Sequence, residues 1–275
     1  MNEGNYILVN GSFVPSAEYR ISLKESAGFL FSEKIRSVRT SFPFFRESLE
    51  MIKQKLLIFN QSFDEFTKGT GEGLKRQMER TLTKNKQFLG SLFTIRFWIS
   101  EQKIQYSIQC IKCENAGYEL NTNGLYIDIF QKVKKSASSL SHSSLGSETF
   151  WQIASNHLKD SHVEQFLLLN TDDQIIEAIG SNVYLIKNSI VRGASINQGA
   201  YTDITKSFIL NIFVTLKLNF DETEGITEQD IKEAEEILLV DAIDGIRWVV
   251  GFGGKRYFNQ TIRKINELFI RNLVN

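Results

Sequence analysis

The sequence predicts an α+β protein with two domains. Two alternating runs, "SLFTIRFWIS" and "KIQYSIQCIK", are joined by "EQ" and predict an antiparallel strand pair in the first half. A connector rich in Gly and Asn, residues 114–124, separates this part from a second set of strands and helices. The chain has 275 residues, of which 42% are hydrophobic, enough for the cores of two domains. We place the domains at residues 1–118 and 119–275.

The elements of the first domain follow from local patterns. "NYILVNGSFVP" predicts a β-hairpin, because Asn-Gly suits a tight turn between two strands. The spacing of Leu49, Ile52 and Leu56 predicts a helix over "SLEMIKQKLLIF". A second helix is predicted over "FTKGTGEGLKRQMERTL", with glycines that weaken its start. The phenylalanines between residues 29 and 45 are assigned to the core.

The second domain is predicted to contain more strands than the first. "LYIDIF", "VEQFLLLN", "QIIEAI" and "ILLV" have the apolar character of strands. "NVYLI" and "SIVRG" are predicted to form a hairpin around Lys187 and Asn188.

Four helices are predicted in the second domain. The first covers "SETFWQIASNHLK", with Ser147 as its N-cap. The others cover "TDITKSFILNIFVTLK", "TEQDIKEAEE" with Thr227 as its N-cap, and "NQTIRKINELFIRNL". One face of the first helix is apolar and consists of Phe150, Trp151, Ala154 and Leu158.

Composition argues against several classes of partner. The chain has 32 basic and 32 acidic residues, so it has no net charge to attract nucleic acid or a membrane surface. It has no run of eighteen apolar residues, and its first residues lack the basic and apolar regions of a signal peptide. We therefore expect a cytoplasmic protein that binds neither nucleic acid nor membranes.

The cysteines and histidines do not form a recognisable metal site. Cys110 and Cys113 make a lone CxxC without a second ligand pair, within a run that alternates like a half-buried strand. His142, His157 and His162 lie close together in sequence, but the acids around them are too few for a metal site. We expect no metal, and the sequence leaves any redox role of the cysteines open.

The order of several motifs resembles the class IV aminotransferases, the fold type IV pyridoxal-phosphate enzymes. Glu177 lies four residues before Ser181-Asn182 and an apolar strand, and "QGAYTDITKSFI" follows with Gly199. The family includes branched-chain aminotransferase, D-amino acid aminotransferase and aminodeoxychorismate lyase, and the tail "DAIDGIRWVVGFGGKRYFN" is most similar to the lyase-like members. The resemblance implies a two-domain D-amino acid aminotransferase-like fold, with an α+β N-terminal domain and a barrel-like C-terminal domain. It also implies a homodimer.

The resemblance assigns a role to one carboxylate and indicates that the catalytic lysine of the family is absent from its expected position. In the family a glutamate holds the protonated pyridine nitrogen of pyridoxal phosphate, and Glu177 matches it. Counting back from "EQFLLLN" places Ser144 where the Schiff-base lysine is expected, and serine forms no Schiff base. The nearest lysines upstream are Lys134 and Lys135, and the latter lies nine residues before Ser144.

The resemblance also implies that phosphate-binding residues of the family are replaced. Met51 falls at an arginine position and Val240 at a threonine position. The N–H groups of Ile204 and Thr205 remain as donors for an anion. Asp203 stands just before them, where it would cap those donors and repel a phosphate, by about 4 kcal/mol at 4 Å and an effective dielectric near 20.

Two functional hypotheses follow. In the first, the protein is a non-catalytic homologue with a binding or regulatory role that binds pyridoxal phosphate weakly or not at all, with a small-molecule ligand in its former cofactor cleft. Its serine-rich segment, residues 136–147, would then be a flexible, solvated loop over the altered site. In the second, it is an active pyridoxal-phosphate lyase or aminotransferase, with Lys134 or Lys135 as the displaced Schiff-base lysine.

Overall fold

The computed structural model describes residues 3–63, 71–223 and 225–274. The chain divides into two compact units, Met1–Gly117 (unit 1) and Tyr118–Asn275 (unit 2). Each unit has a β-sheet with helices packed against it. In the described ranges, no helix is long and apolar enough to cross a membrane.

The sheet of unit 1 is antiparallel and has five strands: β1 (Tyr6–Val9), β2 (Ser12–Pro15), β3 (Phe29–Val38), β4 (Gly90–Ser100) and β5 (Lys103–Lys112). Their order is β2-β1-β5-β4-β3. The predicted opening hairpin is confirmed, with positive φ at Asn10 and Gly11, as is the pairing of β4 with β5. The sequence patterns did not predict β3, because Glu33, Lys34 and Arg36 interrupt its apolar alternation.

The helices of unit 1 are α1 (Leu23–Ala27), α2 (Phe45–Ile58) and α3 (Glu72–Asn85). α2 covers most of the predicted helix and begins three residues earlier. Gly71 has a left-handed backbone, with φ of +68°, directly before α3. The helix therefore begins after this glycine, and residues 66–70 of the predicted helix lie outside the described residues.

The sheet of unit 2 has nine strands: β6 (Leu125–Lys135), β7 (Gln165–Asn170), β8 (Ile175–Ala178), β9 (Asn182–Lys187), β10 (Ile190–Ala194), β11 (Asn219–Thr223), β12 (Glu236–Asp241), β13 (Gly245–Phe252) and β14 (Lys255–Arg256). The strand order is β11-β10-β9-β12-β13-β6-β7-β8, and β14 pairs with β13. The two ends of this order approach each other, because the Ile175 N–H on β8 donates to the Ile226 carbonyl just after β11, at 2.7 Å. The sheet is therefore curled, as the predicted barrel-like domain requires.

The helices of unit 2 are α4 (Ser144–Leu158), α5 (Lys206–Thr215), α6 (Glu228–Glu233) and α7 (Gln260–Val274), with a 3₁₀ turn at Ile196–Gln198. The cap predicted for α6 is confirmed, since Thr227 and Asp230 form a capping box. The cap predicted for α4 is wrong. Ser143 accepts the Leu145 N–H, so α4 begins one turn before Ser147.

Helix α4 covers one face of the curled sheet. Its predicted apolar residues pack in one cluster with Phe130, Phe166 and Leu168 of β6 and β7. A larger cluster lies among β6–β9 and β12–β13, with Leu167, Ile237 and Leu239 fully buried. These two cores fix the ends of β6 and β8, where the candidate site lies.

Candidate functional site

The sheet brings Lys135 and Glu177 together although 42 residues separate them in the sequence. Lys135 ends β6, Glu177 lies in β8, and β7 runs between these two strands. The register of β6 against β7 shifts between Phe130 and Lys134, which sets the last residues of β6 opposite the end of β7. This local irregularity determines which of the two adjacent lysines faces inward.

The Lys135 ammonium is buried and has three hydrogen-bond acceptors. Its Nζ atom donates to the Ser141 carbonyl at 2.8 Å, to Ser147 Oγ at 2.6 Å and to Glu177 Oε2 at 2.7 Å. The side chains of Lys135 and Glu177 are 1% and 0% exposed. Since an ammonium group has three N–H donors, every one of them has an acceptor.

The Glu177 carboxylate likewise accepts hydrogen bonds at both oxygens. Besides Lys135, Oε2 accepts the Tyr201 N–H at 2.7 Å, and Oε1 accepts Trp151 Nε1–H from α4 at 2.8 Å. The rings of Trp151 and Tyr201 meet edge to face, with centroids 4.8 Å apart. The carboxylate is thus enclosed by donors from three parts of the chain.

Burial acts against charge on both partners of this pair. Removal from water lowers the pKa of Lys135 and raises the pKa of Glu177, because each charged form loses its hydration. The attraction between the two groups opposes both shifts, and the donors from Tyr201 and Trp151 further favour the carboxylate. A buried charge is held only when it is paired and hydrogen-bonded in this way.

Lys134 and Ser144, the other two residues considered for the Schiff-base position, make none of the hydrogen bonds described for Lys135. Lys134 points away from Lys135, is 37% exposed on its side chain and pairs with Asp173 at 2.6 Å. Ser144 is the first residue of α4 and is half-buried. The helix serine that contacts Lys135 is Ser147, one turn further along.

The serine-rich segment, expected to be a flexible and solvated loop, is solvated only in part. Residues 136–140 are exposed, but Ser141, Ser143 and Ser147 are buried. Ser141 Oγ accepts the Ser138 N–H at 2.8 Å and donates to the Ser136 carbonyl at 3.0 Å. The segment turns inward because its polar groups find partners in the protein.

Asp203 was predicted as the N-cap of α5, but α5 begins at Lys206 with Thr205 as its N-cap, so Asp203 lies in the turn before the helix. Its Oδ1 atom accepts the Thr205 N–H at 2.9 Å and the Thr205 hydroxyl at 2.6 Å, while Oδ2 accepts the Tyr201 hydroxyl at 3.1 Å. Asn182 fixes the same segment, since its Oδ1 accepts the Asp203 N–H at 2.9 Å. An N–H group that could bind an anion is therefore used internally. Ile204 lies between the two residues of this turn.

The charge of Asp203 is disfavoured by its surroundings. Burial and then the nearby Asp241 carboxylate raise the pKa of Asp203 to about 7. Asp241 itself accepts from Ser181 Oγ at 2.6 Å and pairs with Arg247 at 3.0 Å. Two carboxylates at this end of the sheet make it a poor place for a third anion.

The remaining predicted positions carry no group that binds phosphate. Met51 is half-buried on α2 in unit 1, and Val240 is buried in β12 between β9 and β13. Lys206, which follows Thr205, pairs with Glu222 at 2.6 Å. A cavity beside Lys206 and Tyr201 has a volume of about 10 Å³, room for roughly one water molecule.

The cysteines lie in and just after β5. Burial raises the pKa of Cys110 to about 11, and its sulfur accepts from Asn85 at 3.4 Å. Such a thiol stays protonated at neutral pH, which disfavours nucleophilic or redox chemistry at Cys110. Within the described part of the chain, no three His, Cys, Asp or Glu residues are grouped to hold a metal ion.

Sequence reasoning missed four partners in the site: Ser141, Ser147, Trp151 and Tyr201. Trp151 was assigned to the apolar face of α4, and that assignment is compatible with its indole N–H reaching Glu177. Tyr201 contributes mainly through its backbone N–H, which no side-chain pattern reveals. A Trp on the predicted apolar face of α4 was the one available signal, since an indole N–H usually needs a partner.

At least 94% of the chain has the fold of solved branched-chain aminotransferases and of a protein described as a putative lyase. The branched-chain aminotransferase of Thermoproteus uzoniensis with norvaline is 16% identical, with a TM-score of 0.80 over 98% of this chain and 95% of that one. A putative 4-amino-4-deoxychorismate lyase from Legionella pneumophila is 15% identical, with a TM-score of 0.77 over 94% and 97%. A branched-chain amino acid aminotransferase of "T.th." with pyridoxamine 5'-phosphate is 14% identical, with a TM-score of 0.80 over 99% and 95%.

These similarities confirm the predicted fold type IV architecture. No curated protein sequence is significantly similar to the chain. The family model of amino-transferase class IV, however, matches residues 68–251, which is more than half of the chain. The protein therefore belongs to the class IV aminotransferase family.

Proposed function

We propose that this protein is a non-catalytic member of the class IV aminotransferases with a binding or regulatory role. The proposal rests on one contact, the 2.7 Å hydrogen bond between Lys135 Nζ and Glu177 Oε2 in a fully buried setting. This contact occupies both groups that the chemistry of the family would require, the lysine and the ring-nitrogen carboxylate.

The geometry of the pyridine ring explains why this contact argues against catalysis. Bound pyridoxal phosphate supplies an electron sink for a substrate carbanion. Its aldehyde carbon and its ring nitrogen lie on opposite sides of the ring, so a Schiff-base lysine and the carboxylate at the nitrogen are separated by the width of the ring. Lys135 instead touches Glu177 directly. The residues present therefore do not fit the cofactor.

The phosphate end supports the same proposal. The N–H of Thr205 is capped by Asp203, and Asp203 lies close enough to Asp241 for their charges to interact. A phosphate at this position would add negative charge beside two carboxylates. Pyridoxal phosphate is accordingly expected to bind weakly or not at all.

The expected homodimer, the cytoplasmic location and a small-molecule ligand are parts of the same proposal. A binding role needs neither a Schiff base nor a phosphate anchor, so the replacements at Ser144, Met51 and Val240 are compatible with it. A branched-chain aminotransferase and a putative lyase share the fold at similar TM-scores, so the fold does not distinguish an aminotransferase-like from a lyase-like protein. The tail motif is the observation that favours the lyase-like members.

Borohydride reduction in the presence of pyridoxal phosphate tests the proposal. We expect no absorbance band of an aldimine in the purified protein, and no stoichiometric lysine adduct by mass spectrometry after reduction. A Lys134→Ala variant removes the exposed candidate lysine, so an adduct that persists in this variant is not formed at Lys134. A stoichiometric adduct at a single lysine would contradict the non-catalytic proposal.

The alternative is an active pyridoxal-phosphate lyase or aminotransferase that uses a displaced lysine. One observation favours Lys135 over Lys134 for that role, namely its burial beside Glu177. This alternative requires Lys135 to leave Glu177 when the cofactor binds, and it predicts an adduct at Lys135 that Lys135→Ala abolishes.

A further inference from the structure

We propose that Glu177, Ser147 and the Ser141 carbonyl form a buried site selective for primary ammonium groups, whose resident ligand is the side chain of Lys135. This inference rests on the proposed function, because it requires that Lys135 is not engaged in a Schiff base. It adds a ligand class to the site: an alkylammonium ion.

The number and kind of acceptors carry the inference. The three acceptors lie 2.6 to 2.8 Å from one nitrogen, and they combine a carboxylate, a hydroxyl and a carbonyl oxygen. A primary ammonium group offers three N–H donors, so donors and acceptors match one to one. The carboxylate also supplies the charge that a buried cation requires.

The walls of the site are held in place without Lys135. Ser141 is fixed by its hydroxyl, which bonds to the backbone of Ser136 and Ser138. The adjacent His142 carbonyl accepts the Thr202 N–H at 3.0 Å, and Glu177 is held by Trp151 and Tyr201. The acceptors are therefore preorganised, and removal of the Lys135 side chain leaves them aimed at the same point.

The same donor count excludes other cations. A pyridinium nitrogen has one N–H and would donate to only one of the three acceptors, while the Ser141 carbonyl would keep only the long 3.4 Å hydrogen bond from the Ser147 hydroxyl. A quaternary ammonium has no N–H at all, and the planar guanidinium fork does not match three acceptors grouped around one nitrogen. Buried acceptors without donors are costly, which makes the site selective for a primary ammonium.

Chemical rescue of Lys135→Ala tests the inference. Truncation to alanine removes three methylene groups and the ammonium, which n-propylammonium replaces atom for atom. We expect the variant to lose thermal stability, with Tm lower by on the order of 10 °C, because a buried carboxylate loses its partner. Added n-propylammonium chloride is expected to raise Tm saturably and to recover at least half of the loss.

Three controls separate specific binding from other effects. n-Propanol has the same length without the charge, tetramethylammonium chloride has the charge without N–H donors, and sodium chloride matches the ionic strength. None of the three should produce the saturable rise in Tm. In the Lys135→Ala/Glu177→Gln variant the amine should lose most of its effect, since the carboxylate is gone.

Equal recovery by n-propanol, or no recovery by n-propylammonium, would overturn the inference. If Lys135→Ala does not fold alone, it is refolded from urea with each additive and the soluble fraction is measured by size exclusion. Recovery by the amine alone supports the site, and no difference between additives overturns it. The outcome is distinct from that of the proposed function, which fails only if the wild-type protein forms a stoichiometric pyridoxal-phosphate adduct.

Discussion

At the residue scale, Lys135 and Glu177 place a complete ion pair in the interior of unit 2. Such a pair contributes little net stability, since desolvation of both charges offsets their attraction. Removal of one partner is a different matter, because it leaves an unpaired buried charge and costs about 3–5 kcal/mol. The ion pair therefore has a small effect on the stability of the protein and a large effect on which ligands the site can bind.

Asp203 is, after Glu177, a second buried residue whose carboxyl group is less easily ionised than in water. Its folded-state pKa, about 7, lies above the ordinary value of 3.8 because of burial and the Asp241 charge. A group with a raised pKa binds its proton more tightly in the folded state. Its stabilising contribution is complete below the ordinary pKa and is lost as pH rises through the folded-state value.

We predict that Asp203→Asn removes this pH dependence. The free energy of unfolding of the wild type, relative to that of Asp203→Asn, should fall between about pH 4 and pH 7 by on the order of 1–4 kcal/mol. Asn keeps an acceptor for Thr205, so the turn before α5 is preserved. Urea unfolding at several pH values measures the difference.

The exposed substitution Asp160→Asn gives the background pH dependence for the same change of side chain. A constant difference between wild type and Asp203→Asn across this range would show that the pKa of Asp203 is the same in the folded and the unfolded protein, which would contradict the prediction.

At the scale of elements, α4 and the serine-rich segment before it form one structural unit. A Cβ atom at Gly146 would lie 2.4 Å from the Leu140 carbonyl oxygen and 3.0 Å from the Ser141 nitrogen. The segment thus packs on the first turn of α4 so closely that only glycine fits. The same packing positions the Ser141 carbonyl that contacts Lys135.

We predict that Gly146→Ala destabilises the protein by more than about 1 kcal/mol, although alanine favours helices by about that amount over glycine. The physical reason is the clash with backbone atoms of Leu140 and Ser141, which cannot move without disturbing the Lys135 contacts. Chemical denaturation measures the change.

Thr149→Ala is the matched control, because Thr149 is exposed on the same helix. It should be neutral or stabilising by about a few tenths of a kcal/mol. A stability of Gly146→Ala equal to or above that of the wild type would contradict the close packing of the segment on α4.

At the scale of the whole molecule, each unit leaves large apolar side chains exposed. Leu57 in unit 1 and Val214 and Phe258 in unit 2 are among them. Single exposed apolar residues are common in monomers, so they do not by themselves require a partner. The expectation of a homodimer comes from the family resemblance, and a second copy would be one way to cover such residues.

We predict that the protein sediments as a homodimer, with twice the chain mass of 31.5 kDa. Assembly should not require pyridoxal phosphate, since the proposed site is satisfied internally. Sedimentation velocity over a dilution series, with and without added pyridoxal phosphate, measures the mass. A monomer at every concentration, or a dimer seen only with the cofactor, would contradict this prediction.

Local patterns predicted most elements but misjudged where some begin. The helix expected from Thr202 begins at Lys206, because Asp203 and Thr205 form a hydrogen-bonded turn instead. Strand β3 was not predicted, since its charged residues conceal its period, and α4 begins before its predicted cap. In each case polar contacts within a turn or between strands outweighed the apolar periodicity on which the predictions depended.

Motif order and residue identity need no coordinates, and they were enough to predict the family and the fold. They left Lys134 and Lys135 as equal candidates. The folded sheet distinguished the two, through a register shift in β6 that turns Lys135 inward to Glu177 and Lys134 outward to Asp173. The reason is physical: a side chain's partners across a sheet depend on strand register, which is set by packing among strands distant in sequence.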